Sequence, residues 1–392
     1  MKSGKPLIAD VIDKLNASPL FQLSLASKEL FHSNLLAWLC TAYSDLVMPL
    51  FARFLPQQPD VLGHPTVHRE HKNVDLMIRF SDGHQLVIEN KVKSVPRERQ
   101  LREYSDAVKN KEQTGFLLLS LTRPGFLGEG DTAHTLSNGV LWHYMSYRDL
   151  ANLLRPLASS IDERDRYHGD LLKDYIDFIS LMDELQTQFA IDWEDPDWNF
   201  FGMQDDLRRI KEIRLHDLVD KQRFTELAWR VKARLESEGF SDVVMQHLPD
   251  GDPGQISVFS GMTHGVGLFD MKYLLTNCVG EPVLLGVQIQ GRQFRLNVQM
   301  KRGQTQSKAI AESLLNPRQS NRIWFNLDLV PGDADEAPAK RNFNQYSGIF
   351  WYRYKKLGRI SPASLIETIV QYARLVRDNQ ETLRQQIGTQ TT

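Results

Sequence analysis

The chain is poor in cysteine, in long apolar runs and in net charge, and each shortage excludes a class of protein. Its 392 residues include two cysteines, Cys40 and Cys278, which are too few for a disulfide framework or a cysteine-rich zinc site. No run approaches 18 apolar residues, and the N-terminus has no apolar core of signal-peptide length. The sequence therefore predicts a cytoplasmic protein that is neither secreted nor embedded in a membrane.

The near-neutral charge also limits how the protein can meet a polyanion. The formal net charge is −2, so any binding of nucleic acid must depend on local basic patches. A chain of 392 residues is long enough for two or three domains. The acidic, aromatic segment Asp192–Phe201 is typical of a domain junction, and we therefore predict one domain over 1–190 and another over 191–392.

The most informative stretch is Asn73–Lys91, which has the pattern of a β-hairpin. Two strand-like runs flank Asp82 and Gly83, a pair that favours tight hairpin turns. Because side chains alternate along a strand, Glu89 and Lys91 are predicted to lie on one face of the second strand. A carboxylate and an ammonium are thus expected side by side at the end of an apolar strand.

Asp75, on the first strand of this hairpin, can bring a second carboxylate toward Glu89. Two carboxylates, the backbone carbonyl of Asn90 and waters are ligands that suit a hard divalent cation. Lys91 would then lie beside the metal, where it can orient a water or balance charge on a phosphate. The same residues also fit an alternative interpretation, a solvated cross-strand ion pair with no catalytic role.

A basic segment follows the hairpin directly and leads into a predicted helix that starts near Pro96. Cations at the start of a helix, next to a strand end, are well placed to meet phosphates. The same helix presents Gln100 and Tyr104 at i, i+4 spacing, on one face. The residues predicted to contact nucleic acid are Lys93, Arg97, Arg99 and Tyr104.

Taken together, these motifs resemble the PD-(D/E)XK nuclease superfamily. The resemblance depends on Asp75, on Glu89-Asn90-Lys91, on Gln100 and Tyr104, and on the upstream helix Glu29–Leu39, which reads ELFHSNLLAWL. It extends over roughly residues 27–150. No proline precedes the aspartate here, which departs from the motif at a position that is loose in the superfamily.

The resemblance implies a metal-dependent nuclease that uses Mg²⁺ or Mn²⁺ and acts on nucleic acid, most plausibly DNA, in settings such as defence against foreign DNA. In the family the aspartate and the glutamate bind the metal, the lysine assists the water, and the upstream glutamate often joins the metal shell. The implied catalytic residues are Asp75, Glu89, Lys91 and Gln100. The expected metal ligands are Glu29, Asp75, Glu89 and Asn90.

The order of predicted elements gives an α/β fold class. Alternating strands and helices up to residue 190 predict a mixed central β-sheet flanked by helices, as in restriction endonucleases, followed by an α+β C-terminal domain. In that second half, Gln288-Ile289-Gln290 lacks the acid and lysine of an active site, so we predict an accessory domain for substrate binding or oligomerisation. A nuclease fold that only binds nucleic acid or a protein partner, or that forms homo-oligomers, remains the alternative.

Overall fold

The structure is a computed structural model, and contacts divide the chain into two compact units. Unit 1 comprises Met1–Ala190 with Asp205–Val219, and unit 2 comprises Ile191–Gln204 with Asp220–Thr392. The structure describes residues 7–24, 29–57, 65–71, 74–128, 130–278, 280–300, 302–315, 323–331 and 342–388.

In its described residues, unit 1 contains a six-stranded mixed sheet with helices packed on it. Helices α8 (Gln204–Glu212) and α9 (His216–Ser237) occupy the residues at which the division between the units falls. The strands of unit 1 are β1 (Thr66–His71), β2 (Val74–Arg79), β3 (Gln85–Lys91), β4 (Thr114–Ser120), β5 (Ala133–Thr135) and β6 (Leu141–Ser146). Its helices are α1 (Ile8–Ala17), α2 (Pro19–Leu23), α3 (Glu29–Ala42), α4 (Ser44–Ala52), α5 (Glu98–Ala107), α6 (Tyr147–Arg164) and α7 (Arg166–Gln188).

The strand order in this sheet is β1-β2-β3-β4-β6-β5. Strands β2 and β3 pair antiparallel and form the predicted hairpin, in which Gly83 takes the positive φ of 93° that its turn requires. Strands β3 and β4 pair parallel, and a parallel pair needs a crossover, which α5 provides. Helix α5 therefore begins next to the C-terminal end of β3. The predicted fold class, a mixed sheet flanked by helices, is confirmed.

The two faces of the β2–β3 hairpin pack against different helices. One face contributes Met77 and Val87 to a buried cluster that includes Leu101 of α5. The other face carries Leu76 and Ile88, and it contacts α3. The ends of β2 and β3 are thus covered by helices from both sides.

The helix that begins at Glu29 ends at Ala42, and a second helix, Ser44–Ala52, follows it after Tyr43. Tyr43 has φ −130° and ψ 41°, outside the helical region, and its hydroxyl is 2.7 Å from Nδ1 of His168 on α7. Pro49 is accommodated inside α4. In the described residues, no single helix reaches the length and apolarity of a membrane span; the α3–α4 pair does so only across a bend of 114°.

In its described residues, unit 2 is built on a seven-stranded sheet in the order β12-β13-β11-β10-β9-β8-β7. One face of this sheet is apolar and belongs to a large core with Val287, Leu296 and Ile369. The strands are β7 (Val243–Val244), β8 (Ile256–Thr263), β9 (Val266–Cys278), β10 (Glu281–Gln290), β11 (Gln293–Met300), β12 (Asn344–Tyr346) and β13 (Phe350–Lys356). The helices are α10 (Gln304–Leu315), α11 (Pro362–Asp378) and α12 (Gln380–Gly388), which complete the α+β half.

Candidate active site

The end of the β2–β3 hairpin brings two carboxylates together from neighbouring strands. Leu76 lies opposite Ile88, so Asp75 and Glu89 are the next residues along the two strands. Oδ2 of Asp75 accepts a hydrogen bond from the backbone N–H of Asn90 at 2.8 Å. This bond fixes the Asp75 carboxylate against the last residues of β3.

Glu89 and Lys91 form a buried ion pair on the face of β3 that packs against α5. Nζ of Lys91 lies 2.5 Å from Oε1 of Glu89. The two residues are 1% and 7% exposed, so the pair is almost fully removed from water. The second oxygen of Glu89, Oε2, is buried and has no hydrogen-bond partner among the described residues.

This corner of the sheet has more negative charge than its single lysine neutralises. Burial, and next the negative charge of Asp75, raise the pKa of Glu89 to about 8. Burial also raises the pKa of Asp75, although the Asn90 hydrogen bond and Lys91 oppose it. Burial lowers the pKa of Lys91, but Glu89, Glu29 and Asp75 outweigh it, and the pKa of this ammonium lies above its ordinary value. The site is therefore short of positive charge.

Glu29, in the first turn of α3, holds the segment that follows β3. Its Oε1 accepts hydrogen bonds from the backbone N–H groups of Val92 and Ser94, at 3.1 and 2.9 Å, and from the Ser94 hydroxyl. Its charge reaches both Asp75 and Glu89, whose pKa values it raises as a lesser effect after burial. Glu29 thus lies near the other two acids, with one of its oxygens engaged by the protein.

Asn90 points to the opposite face of β3, as the strand alternation predicts. Its Nδ2 donates to the carbonyl of Glu29 at 3.2 Å and to the hydroxyl of Ser33 at 3.1 Å. Its Oδ1 accepts a hydrogen bond from the Tyr147 hydroxyl at 2.6 Å. The amide side chain is therefore used for structure, and the backbone carbonyl is the part of Asn90 that stays a predicted metal ligand.

His32 lies behind this network and is fully buried. Its Nδ1 is 3.1 Å from the Tyr175 hydroxyl, and its ring packs against Tyr147 and Phe178. Burial lowers its pKa to about 3, so the imidazole is neutral at ordinary pH. These contacts fit a structural histidine, which is how we interpret it.

Gln100 and Tyr104 form a pair on the face of α5 that covers the sheet. Nε2 of Gln100 donates to the Tyr104 hydroxyl. Burial, and next the charge of Glu89, raise the pKa of Tyr104, so the phenol lies within electrostatic reach of the acids. Gln100 thus acts on Tyr104 in this structure, and its predicted role in orienting Lys91 or a water remains a prediction.

The three predicted phosphate contacts differ in how far they are already engaged. Nζ of Lys93 donates to the carbonyl of Arg214 at 2.7 Å and lies 3.7 Å from Asp217. Arg99 is 82% exposed and paired with Glu103 at 2.8 Å, a bond that water weakens. Arg97 is exposed at the start of α5. Arg99 is therefore better placed for a polyanion than Lys93.

The residues at this corner fit a small divalent cation even though they do not form a cage. In the part of the chain that the structure describes, no three His, Cys, Asp or Glu side chains cluster as a preformed metal site. Mg²⁺ needs no such cage, because it is commonly held by one or two carboxylates with waters and substrate phosphates. The buried Oε2 of Glu89, which has no hydrogen-bond partner among the described residues, is an oxygen that such a cation could coordinate.

Three supporting residues were not anticipated from the sequence. Ser33 stands inside the helix motif that carries the resemblance, and its position beside Glu29 could have signalled a role. Ser94 follows β3 closely, but nothing in its surroundings marks it as a partner of Glu29. Tyr147 is 57 residues from Asn90, and only the fold brings the two together.

Comparison with known proteins adds one finding. A family model described as the PD-(D/E)XK nuclease superfamily matches residues 19–177. The match covers less than half of the chain, and it includes Glu29, Asp75, Glu89, Lys91, Gln100 and Tyr104. No curated protein and no solved structure gives a significant match.

Proposed function

We propose that the protein is a divalent-metal-dependent nuclease that hydrolyses phosphodiester bonds in DNA, and the match of residues 19–177 to the PD-(D/E)XK nuclease superfamily supports this. The observation that carries the proposal is the excess of carboxylates around Lys91, with a buried Glu89 oxygen that lacks a partner. A relic of a nuclease fold has no physical reason to keep these charges buried together. A role in defence against foreign DNA is part of the same proposal and is supported by the family alone.

The carboxylates of Asp75 and Glu89 and the backbone carbonyl of Asn90 are the proposed ligands of Mg²⁺ or Mn²⁺. Glu29 would join them through the carboxylate oxygen that is not bound to Val92 and Ser94. A bound divalent cation supplies polarisation of the phosphate and a lower pKa of an attacking water.

In this proposal Lys91 acts as a positively charged hydrogen-bond donor. Because its pKa lies above the ordinary value, its side chain is an ammonium at neutral pH and does not serve as a base. Held by Glu89 at 2.5 Å, the ammonium can donate to the attacking water or to a phosphate oxygen on which charge develops. Gln100 and Tyr104 would limit the space beside this ammonium from the α5 side.

The test is an incubation of the purified chain with plasmid, linear double-stranded DNA, single-stranded DNA and RNA, each with Mg²⁺, with Mn²⁺ or with EDTA. We expect DNA cleavage with either metal and none in EDTA. Lys91→Ala should lower the rate by at least about 100-fold, the cost of losing one donor that stabilises developing charge. Lys111→Ala, at a partly exposed lysine paired with Asp106, is the matched control and should cleave like wild type.

Two results would contradict the proposal. Cleavage that persists in EDTA would exclude a metal-dependent site, and full activity of pure Lys91→Ala protein would exclude the assigned role. Calorimetric titration with Mn²⁺ separates a nuclease from a silent binding module, because a module without the metal function should show no site that Asp75→Asn abolishes.

A further inference from the structure

A second feature lies on the same face of the β2–β3 hairpin as the acids: an open pocket of about 190 Å³. An engineered cavity of about 150 Å³ in another protein holds a benzene molecule, so this pocket has room for one aromatic ring. Its wall is mainly apolar, with one aromatic side chain and two exposed cations. The lining includes Val74, Met77, Tyr104, Val108, Arg79 and Lys109.

The pocket continues directly from the candidate active site. Met77 is opposite Val87, and Arg79 is opposite Gln85, in the same register that places Asp75 next to Glu89. Since alternate residues share a face and each residue rises about 3.3 Å, Arg79 lies about 13 Å from Asp75 along the strand. Tyr104 connects the two places, because it lines the pocket and its pKa, raised mainly by burial, also responds to the charge of Glu89.

The two cations at the pocket are available for a ligand. Arg79 and Lys109 are both exposed, and neither side chain has a hydrogen-bond or ion-pair partner among the described residues. Lys93, in contrast, donates to a backbone carbonyl, and Arg99 is paired with Glu103. In a chain of net charge −2, two unpaired cations beside an aromatic side chain form a local patch that suits a polyanion.

We propose, on the basis of the proposed nuclease function, that this pocket holds one nucleobase of the substrate strand, placed against Tyr104, while Arg79 and Lys109 bind phosphates of that strand. Aromatic side chains that accept a base, together with cations that follow the backbone, are how proteins hold a single strand without reading its sequence. The subsite would require an unstacked base near the scissile bond, so the substrate is a single strand or a locally opened duplex.

The charge component is tested by the salt dependence of binding. The full chain, in EDTA, is titrated against a fluorescent single-stranded oligonucleotide by anisotropy at several salt concentrations. Arg79→Ala and Lys109→Ala should each lower the slope of log K against log salt by about 0.7, and the double variant by about 1.4. Arg155→Ala and Lys14→Ala change exposed, unpaired cations on α6 and α1, which do not line the pocket, and should keep the wild-type slope.

The base component is tested with oligonucleotides in which one base at a time is removed. One abasic position should weaken binding to wild type by about 5-fold or more, which is the smallest effect expected for one base stacked on an aromatic side chain. Tyr104→Leu should bind more weakly and should no longer distinguish that position. Tyr104→Phe keeps the ring but loses the hydroxyl that Gln100 binds, and it should still distinguish that position, which separates loss of stacking from loss of the hydroxyl.

The outcomes distinguish the subsite from the nuclease. If wild type cleaves DNA but neither the salt slope nor the abasic profile changes in these variants, the subsite is wrong and the nuclease assignment stands. If wild type neither binds nor cleaves any nucleic acid, both proposals fail.

Discussion

Each unit of this protein buries an acid and a lysine two residues apart on one strand, yet the two pairs are in opposite electrostatic surroundings. In unit 1, Lys91 lies 2.5 Å from Glu89 on β3; in unit 2, Lys272 lies 3.0 Å from Asp270 on β9. All four residues are under 9% exposed. The i, i+2 spacing is thus the same, and what differs is the set of charges around each pair.

The unit 2 pair has a single acid beside its lysine. Burial lowers the pKa of Lys272, and the charge of Asp270 opposes this effect. Nζ of Lys272 also donates to Oδ1 of Asn297 at 3.0 Å and lies 4.6 Å from the centre of the Phe350 ring. One acid therefore faces Lys272 here, whereas three acids surround Lys91.

A glycine makes this arrangement possible. Gly286 is opposite both Lys272 and Asn297 in the sheet, and a Cβ added to it would lie 2.6 Å from Oδ1 of Asn297. The missing side chain lets the Lys272 and Asn297 side chains meet across β10. In unit 1 the acids Asp75, Glu89 and Glu29 all act on Lys91. Spacing along a strand therefore does not define the chemistry; the neighbouring strands do.

The largest effect is expected from breaking the unit 2 pair. Lys272→Met should destabilise the protein by about 3–5 kcal/mol, because it leaves the Asp270 carboxylate buried without its partner. The double variant Asp270→Leu with Lys272→Met should recover most of this loss, since two apolar side chains can replace a buried pair at little cost. The free energy of unfolding in urea, followed by tryptophan fluorescence, measures both.

DNA cleavage by these two variants, measured while they are folded, is the matching control. It should remain at the wild-type rate if unit 2 has no catalytic role. A loss below about 1 kcal/mol in Lys272→Met would contradict a desolvated ion pair, and a loss of cleavage by the folded double variant would contradict the electrostatic distinction between the units.

In unit 1 the buried acid should make the stability of the metal-free protein depend on pH. Glu89→Gln should remove this dependence and abolish cleavage. The pKa of Glu89 is about 8 in the folded chain against an ordinary 4.5, so the folded state keeps a proton that the unfolded state has released. Wild-type stability in EDTA should therefore fall as pH rises from 4.5 through 8, and Glu89→Gln should lack this fall.

Mg²⁺ sharpens this second prediction. If the cation occupies the site, it replaces the missing positive charge, and the wild-type loss of stability between pH 4.5 and 8 should disappear at saturating Mg²⁺. Asp270→Asn in unit 2 should leave this response to metal unchanged, because the variant keeps the acids of unit 1. A wild-type curve that is flat with pH in EDTA, measured by urea unfolding, would argue that the acids of unit 1 are not short of charge.

The sequence predicted the candidate site on the β2–β3 hairpin better than it predicted the hydrogen-bond network that holds this site in place. The hairpin, the face of Glu89 and Lys91, and the opposite direction of Asn90 follow from period-two alternation, which needs only local information. The Asp270-x-Lys272 pair was not predicted from the sequence, although it lies on the strand next to Gln288-Ile289-Gln290. The network of Asn90 with Tyr147 depends on a parallel crossover that places β3 near the start of α6, and no local pattern encodes that contact.

The smallest effect concerns the neutral network behind β3. His32 has its pKa lowered to about 3 by burial, against an ordinary 6.5, so the unfolded chain takes up a proton that the folded chain refuses. This contribution to stability is complete above pH 6.5 and is lost as pH falls toward 3, by about 1 kcal/mol between pH 7 and 5.5. Between pH 7 and 5.5, the free energy of unfolding of His32→Gln should fall less than that of wild type, whatever its absolute value. The exposed His264→Gln is the control and should show the same fall as wild type. Because His32 lies on the side of the strand away from Glu89, Mg²⁺ should leave this difference unchanged; a metal-dependent difference would place His32 within the charged site.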